Sequence, residues 1–138
     1  MDLATANRLI EHTLAEARSL DTKPMAVVVL DAGGHLVACA REDGASFGRI
    51  DLAKGKAWGS LSLGFGSRTL SERVAGAPGF FTAAASLFGG QLLPAPGGLL
   101  VLRDDHILGA MGVSGDTGDK DETCAVAAIA SCGLSYRS

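Results

Sequence analysis

Residues 98–115 read GLLVLRDDHILGAMGVSG. An apolar run, Leu99 to Leu102, closes on Arg103. Asp104-Asp105 interrupts it, and a second apolar run follows from His106 to Val113. Two such runs on either side of a two-residue polar break predict a β-hairpin. The same pattern occurs once more. MAVVVLD (25–31) leads through Ala32-Gly33-Gly34 into HLVACAR (35–41). Helical sequence separates the two hairpins, so the expected class is α+β, an antiparallel sheet with helices set around it.

Outside the hairpins the apolar spacing changes from strand to helix. Leu3, Ala6, Leu9, Ile10, Leu14 and Ala17 lie on one stripe of a helix over 3–20, and Lys23-Pro24 ends it. Ile50, Ala53, Ala57 and Leu61 mark a second helix over 50–63. Gly55 and Gly59 each weaken that helix by about 1 kcal/mol relative to alanine. Their presence predicts that something packs close, and a second subunit is the expected neighbour. Residues 67–75 predict a short helix in which Thr69 and Glu72 have capping-box spacing. Residues 79–88 also read as helical, and GGQLLPAPGG (89–98) as loop. The final helix is expected to start near Asp119, with Asp119 as N-cap and Glu122 reaching back. Residues 1–138 are read as one domain.

Composition excludes several functions. The net charge is -3 and the pI about 5.5, which gives no electrostatic reason to bind nucleic acid or an anionic membrane. Aromatic residues make up 5% of the chain, too few for a base-stacking platform. No apolar run reaches membrane-spanning length, and no secretory leader is read at the N-terminus. Cys39, Cys124 and Cys132 have no paired CxxC spacing, so a reduced, cytoplasmic protein is expected, with thiols in the core.

Capping explains much of the acid density in Asp119-Lys120-Asp121-Glu122, but not the bare GVSG before it. Glycines at a strand end let another group approach the backbone. Here the residues resemble a known family. The series is DAGGHLVA (31–38), Arg41 to Ala45, Ala53-Lys54-Gly55-Lys56-Ala57, Gly97-Gly98, LGAMGVSG (108–115) and Asp121-Glu122. It is similar to the GlcG/HbpS-like haem-binding family, whose domain also forms the C-terminal part of PduO-type proteins. It departs from the family pattern at Trp58-Gly59, Leu99-Leu100 and Asp116. The resemblance implies a profilin-like fold, self-association into a dimer or larger ring, and haem or another tetrapyrrole as ligand, with haem degradation in some members. The alternative is an enzyme on the same fold acting on a small carboxylated molecule.

Candidate residues follow from the chemistry. Haem iron takes His, Cys, Met or Tyr. His12, His35 and His106 are the candidate ligands, although each also reads as a surface residue and none stands at a metal-ligand spacing. Tyr136 reads as frayed, and Met111 and Cys39 as core. Lys56, on the glycine-containing helix, either snorkels or supplies positive charge to an acidic ligand. Gly97, Gly98, Ser114 and Gly115 would line the same pocket, with Asp116 at its rim. Asp31 ends a strand at a turn and Arg41 ends the opposing strand, which raises an ion pair across the hairpin and a part in ligand binding. Ser114 lacks a G-x-S-x-G frame and an evident histidine partner, which excludes a serine hydrolase.

Overall fold

The computed structural model describes residues 1–138. In chain order the elements are α1 (Leu3–Ser19), β1 (Ala26–Asp31), β2 (Leu36–Arg41), α2 (Arg49–Leu63), α3 (Ser67–Val74) and α4 (Pro78–Leu87). They continue as β3 (Gly98–Arg103), β4 (His106–Ser114), α5 (Gly118–Ser131) and β5 (Ser135–Arg137). Both hairpins form, and the result is the expected α+β, profilin-like arrangement. One antiparallel sheet has the strand order β2-β1-β4-β3-β5. Pairing of β1 with β4 joins the hairpins, with Ala26 opposite Ser114 and Asp31 opposite Gly109. That register puts both hairpin turns at one end of the sheet. Ser114, Gly98 and Arg41 lie at the other end.

Alternation along the strands assigns the two faces. Val27, Val29, Leu99, Val101, Met111 and Val113 pack with Leu9 and Ile10 of α1 and Ala125 and Ile129 of α5. Val28, Leu30, Leu100, Leu102 and Ala110 pack against Ala53 and Ala57 of α2. Because helices cover both faces, the inner strands are continuous apolar runs rather than alternating ones. A smaller cluster of Leu70, Phe81, Ala84 and Leu92 holds α3, α4 and the following loop together.

The glycines of the opening stretch do serve close approach, and the approaching groups belong to the chain itself: α2 at Gly98 and Gly112, β1 at Gly109, and Pro24-Met25 at Gly115. A methyl group on Gly112 would overlap the Ala53 carbonyl, and one on Gly98 the Lys56 carbonyl. Gly55 and Gly59 are likewise covered from within the chain. Leu93 and Leu92 sit against them, and the Leu93 N–H donates to the Gly55 carbonyl at 3.2 Å. The neighbour expected from another subunit is therefore the 89–98 loop.

Local capping differs from the sequence expectation. Thr117, not Asp119, is the N-cap of α5, its hydroxyl accepting from the Lys120 N–H. Asp119 and Glu122 instead share Arg68 of α3. α3 starts after Gly66 with no side-chain cap, so the Thr69–Glu72 spacing is unused. Tyr136 does not fray: β5 pairs with β3, placing Tyr136 opposite Val101. Cys39 lies exposed on edge strand β2 rather than in the core. Cys124 is buried, and burial raises its thiol pKa to about 11.

Candidate functional site

At the GVSG end of the sheet the chain closes on itself. Lys56 of α2 is buried, and its ammonium donates to the Val113 carbonyl and to Oδ2 of Asp121, both at 2.8 Å. Asp121 of α5 is also buried. Its Oδ1 accepts the N–H groups of Gly115 at 3.1 Å and Asp116 at 3.0 Å. One carboxylate thus fastens α2, the end of β4 and the start of α5. Gly97 lies beside the pair with φ +117°, a left-handed value that favours glycine. A side chain there would also meet the Val113 carbonyl and the Lys56 ammonium. The Gly98 N–H donates to Ser67 Oγ at 2.6 Å, and the Ser114 hydroxyl accepts from Arg49 at 3.3 Å.

Lys56, Gly97, Gly98, Ser114 and Gly115 therefore do come together. They surround the ion pair rather than a cavity, and none of them lines any of the five principal clefts. The Lys56 charge is matched by Asp121 within the chain. Asp116 sits outside this cluster as a brace. Its carboxylate accepts the N–H groups of Lys23 at 2.9 Å and Thr117 at 2.8 Å and reaches Lys120 at 3.3 Å. Those bonds, the Lys23 one first, lower its pKa to about 2.

Arg41 lies at this same end, opposite Ala26, while Asp31 is at the far end, so no ion pair spans the hairpin. The Arg41 guanidinium donates to the Ala45 carbonyl. It lines a cleft with Pro24, Asp43, Arg18 and Glu42, the last two paired at 2.9 Å.

The turn end is built differently. Oδ1 of Asp31 accepts the N–H groups of Gly33 at 2.9 Å and His35 at 3.0 Å, an Asx turn. These bonds, His35 first, hold the carboxyl below its usual range. The same oxygen lies 3.3 Å from Nδ1 of His35. In the neighbouring turn, Nδ1 of His106 lies 2.8 Å from the Asp104 carbonyl. Both imidazoles are exposed, anchored on Nδ1 and open on Nε2. Each is followed by an exposed aliphatic side chain, Leu36 and Ile107. His12 stands exposed on α1. No three of the chain's His, Cys, Asp and Glu side chains form a metal-binding group.

Comparison with known proteins agrees with this architecture. A family model described as "Haem degrading protein HbpS-like" matches residues 1–130. The chain belongs to the HbpS-like family. Among related sequences, an uncharacterised 15.0 kDa protein from the dhaT-dhaS intergenic region of Citrobacter freundii is 31% identical over 133 residues, 92% of this chain and 88% of that one. Among solved structures, a PduOC:heme complex superposes with a TM-score of 0.88 at 25% identity, covering 100% of this chain and 99% of that one. Streptomyces reticuli HbpS, as a double mutant, gives a TM-score of 0.82 at 26% identity, covering 95% of this chain and 86% of that one.

In this HbpS-like chain, the residue that sequence reasoning misplaced is Asp121. Three acids within four positions exceed what one helix start needs, and that excess was the available signal. Asp121 is the acid buried against Lys56, while Asp119 and Glu122 take the outer positions on Arg68.

Proposed function

We propose that this HbpS-like chain binds haem through an imidazole, at the turn end of its sheet. The observation that carries the reading is the pair of exposed, Nδ1-anchored imidazoles, His35 and His106, on a fold that superposes over its whole length on a haem-complexed domain. A metal-binding imidazole is held best when a carboxylate or carbonyl fixes its other nitrogen, and Asp31 and the Asp104 carbonyl stand in those positions. Leu36 and Ile107 offer apolar contact beside each ring. His12 remains a third donor on a different element. When bound, haem would supply an iron centre whose reactivity is set by its axial ligand and surroundings.

Titration of the protein with hemin, followed by the Soret band, tests this. The expected result is saturation at one haem per chain, with the shift lost in His35→Ala or His106→Ala; loss in His12→Ala alone would move the site from the turn end to α1. Three variants that all bind like wild type would overturn imidazole ligation. Haem degradation is the finer expectation for this family. It would register as decay of the bound Soret band when ascorbate and dioxygen are added. The chain is further read as a cytoplasmic homo-oligomer, for which light scattering should give the mass of a dimer or larger. No helix of the chain is long and apolar enough to cross a membrane.

A further inference from the structure

The cleft where the end of α2 meets α3 and α4 is outside both ends of the sheet. Its volume is about 450 Å³, within the range of small-ligand sites. Leu63, Phe65, Leu70, Phe80 and Phe81 form its apolar wall, with Arg73 and Glu72 as the charged residues. Phe80 and Phe81 meet edge to face at 5.3 Å, and Phe80 keeps 56% of its surface in water. An aromatic ring left this exposed beside a concave apolar wall gains free energy when covered.

Arg73 decides what would cover it. Its guanidinium lies 3.9 Å above the Phe65 ring, held by cation–π attraction. None of the chain's six ion pairs uses it, and its side chain makes no hydrogen bond. Glu72 also lines the cleft, but neighbours in sequence do not face each other on a helix, and Glu72 and Arg73 form no ion pair. A planar cation with all its donors free, at the edge of an apolar cleft, matches a carboxylate bidentately. No His, Cys, Met or Tyr lines the cleft, so it offers haem iron no axial ligand.

We propose that this cleft is a second small-molecule site, separate from the haem site, for a metal-free amphipathic monocarboxylate such as a medium-chain fatty acid. The apolar body would lie against Leu63, Leu70, Phe80 and Phe81, and the carboxylate on Arg73. One free cation sets the ligand at one carboxylate. The inference does not rest on the haem reading.

Calorimetric titration of the full chain with sodium octanoate, below its micelle concentration, tests the proposal against octan-1-ol, which has the same tail and no charge. Saturable one-site binding of octanoate is expected, about tenfold or more tighter than the alcohol, as a charge-assisted bond requires. Arg73→Gln should remove that preference, bringing octanoate to the level of the alcohol. Phe80→Ala, at an exposed position, should weaken both ligands while the fold persists. The hemin titration should be unchanged by saturating octanoate. Non-saturating octanoate, equal affinity for acid and alcohol, or an Arg73→Gln variant that keeps the preference would overturn the proposal. Displacement of hemin by octanoate would overturn its claim to a separate site.

Discussion

The two ends of the sheet use polar residues in opposite ways. At the GVSG end each polar group of the cluster is satisfied inside the chain. Lys56 finds Asp121 and a carbonyl, and Asp121 finds an ammonium and two N–H groups. At the turn end, the protein satisfies one nitrogen of each imidazole and leaves the other to solvent. The denser motif is thus the structural one. The sparser end keeps free valences, and a free valence is what a ligand needs. The contrast can be broken by substitutions that move stability at one end and ligand binding at the other.

The largest effect is expected at Asp121. Asp121→Ala leaves the Lys56 ammonium buried without its partner and frees the GVSG backbone. Removal of one member of a buried pair costs about 3–5 kcal/mol. Urea denaturation should show that loss, and Lys56→Met added to the same variant should recover part of it by removing the stranded charge. A lysine that faced a ligand would instead tolerate methionine alone with no change in melting temperature. A loss below about 1 kcal/mol in Asp121→Ala would mean that this end is no more fixed than a surface ion pair.

A smaller effect separates the true helix cap from the expected one. Thr117→Ala removes the N-cap hydroxyl of α5 and should cost about 0.5–2 kcal/mol, towards the lower end because the bond measures 3.4 Å. Asp119→Ala should stay within about 0.5 kcal/mol of wild type, since that side chain is solvent-exposed and shares Arg68 with Glu122. The reverse ranking would restore Asp119 as the cap.

These cases also mark what the sequence makes legible. Both hairpins can be read because apolar runs and turn residues are local signals, and the helices because their stripes repeat at helical spacing. The β1–β4 pairing is a contact between residues such as Ala26 and Ser114, far apart in sequence, and no local pattern encodes it. Asp31 and Arg41 are kept apart by the first hairpin alone, since its turn sets Asp31 against His35 and Arg41 against Ala26. Without the β1–β4 pairing, which residues of the two hairpins share an end of the sheet cannot be told. β5 is three exposed residues whose pairing uses backbone groups, so Tyr136 carries no strand signal of its own. At the candidate site, the residues that converge could be chosen from glycine and charge. What they converge on could not, because Asp121 differs from Asp119 only by the helix face it occupies.

At the turn end the expectation is inverted. His35→Ala and His106→Ala should each change stability by no more than about 0.5 kcal/mol, because both rings are exposed and neither fills core. The Soret shift, not the melting temperature, is where a ligand residue there should register. A large loss of stability in either variant would show that the turn end is braced like the other, and the contrast would fail.

The smallest effect concerns Asp116, which braces the rim of the closed end, and it is read through pH. Its folded pKa of about 2 lies below the ordinary value of 3.8, because the N–H groups of Lys23 and Thr117 and the Lys120 ammonium favour the charged form. A carboxyl with a depressed folded pKa contributes stability that is fully present above its unfolded value. The contribution fades as pH falls through the folded value. Asp116→Asn should therefore melt below wild type at about pH 7, and the gap should hold to about pH 5 and close as pH approaches about 2. Other carboxyls titrate over the same range, but they do so in both proteins and cancel in the difference. A gap that stayed constant down to the lowest pH would mean that shape and neutral hydrogen bonding at this position matter rather than charge. Asp121 would then be the one carboxylate whose charge holds the loop after β4.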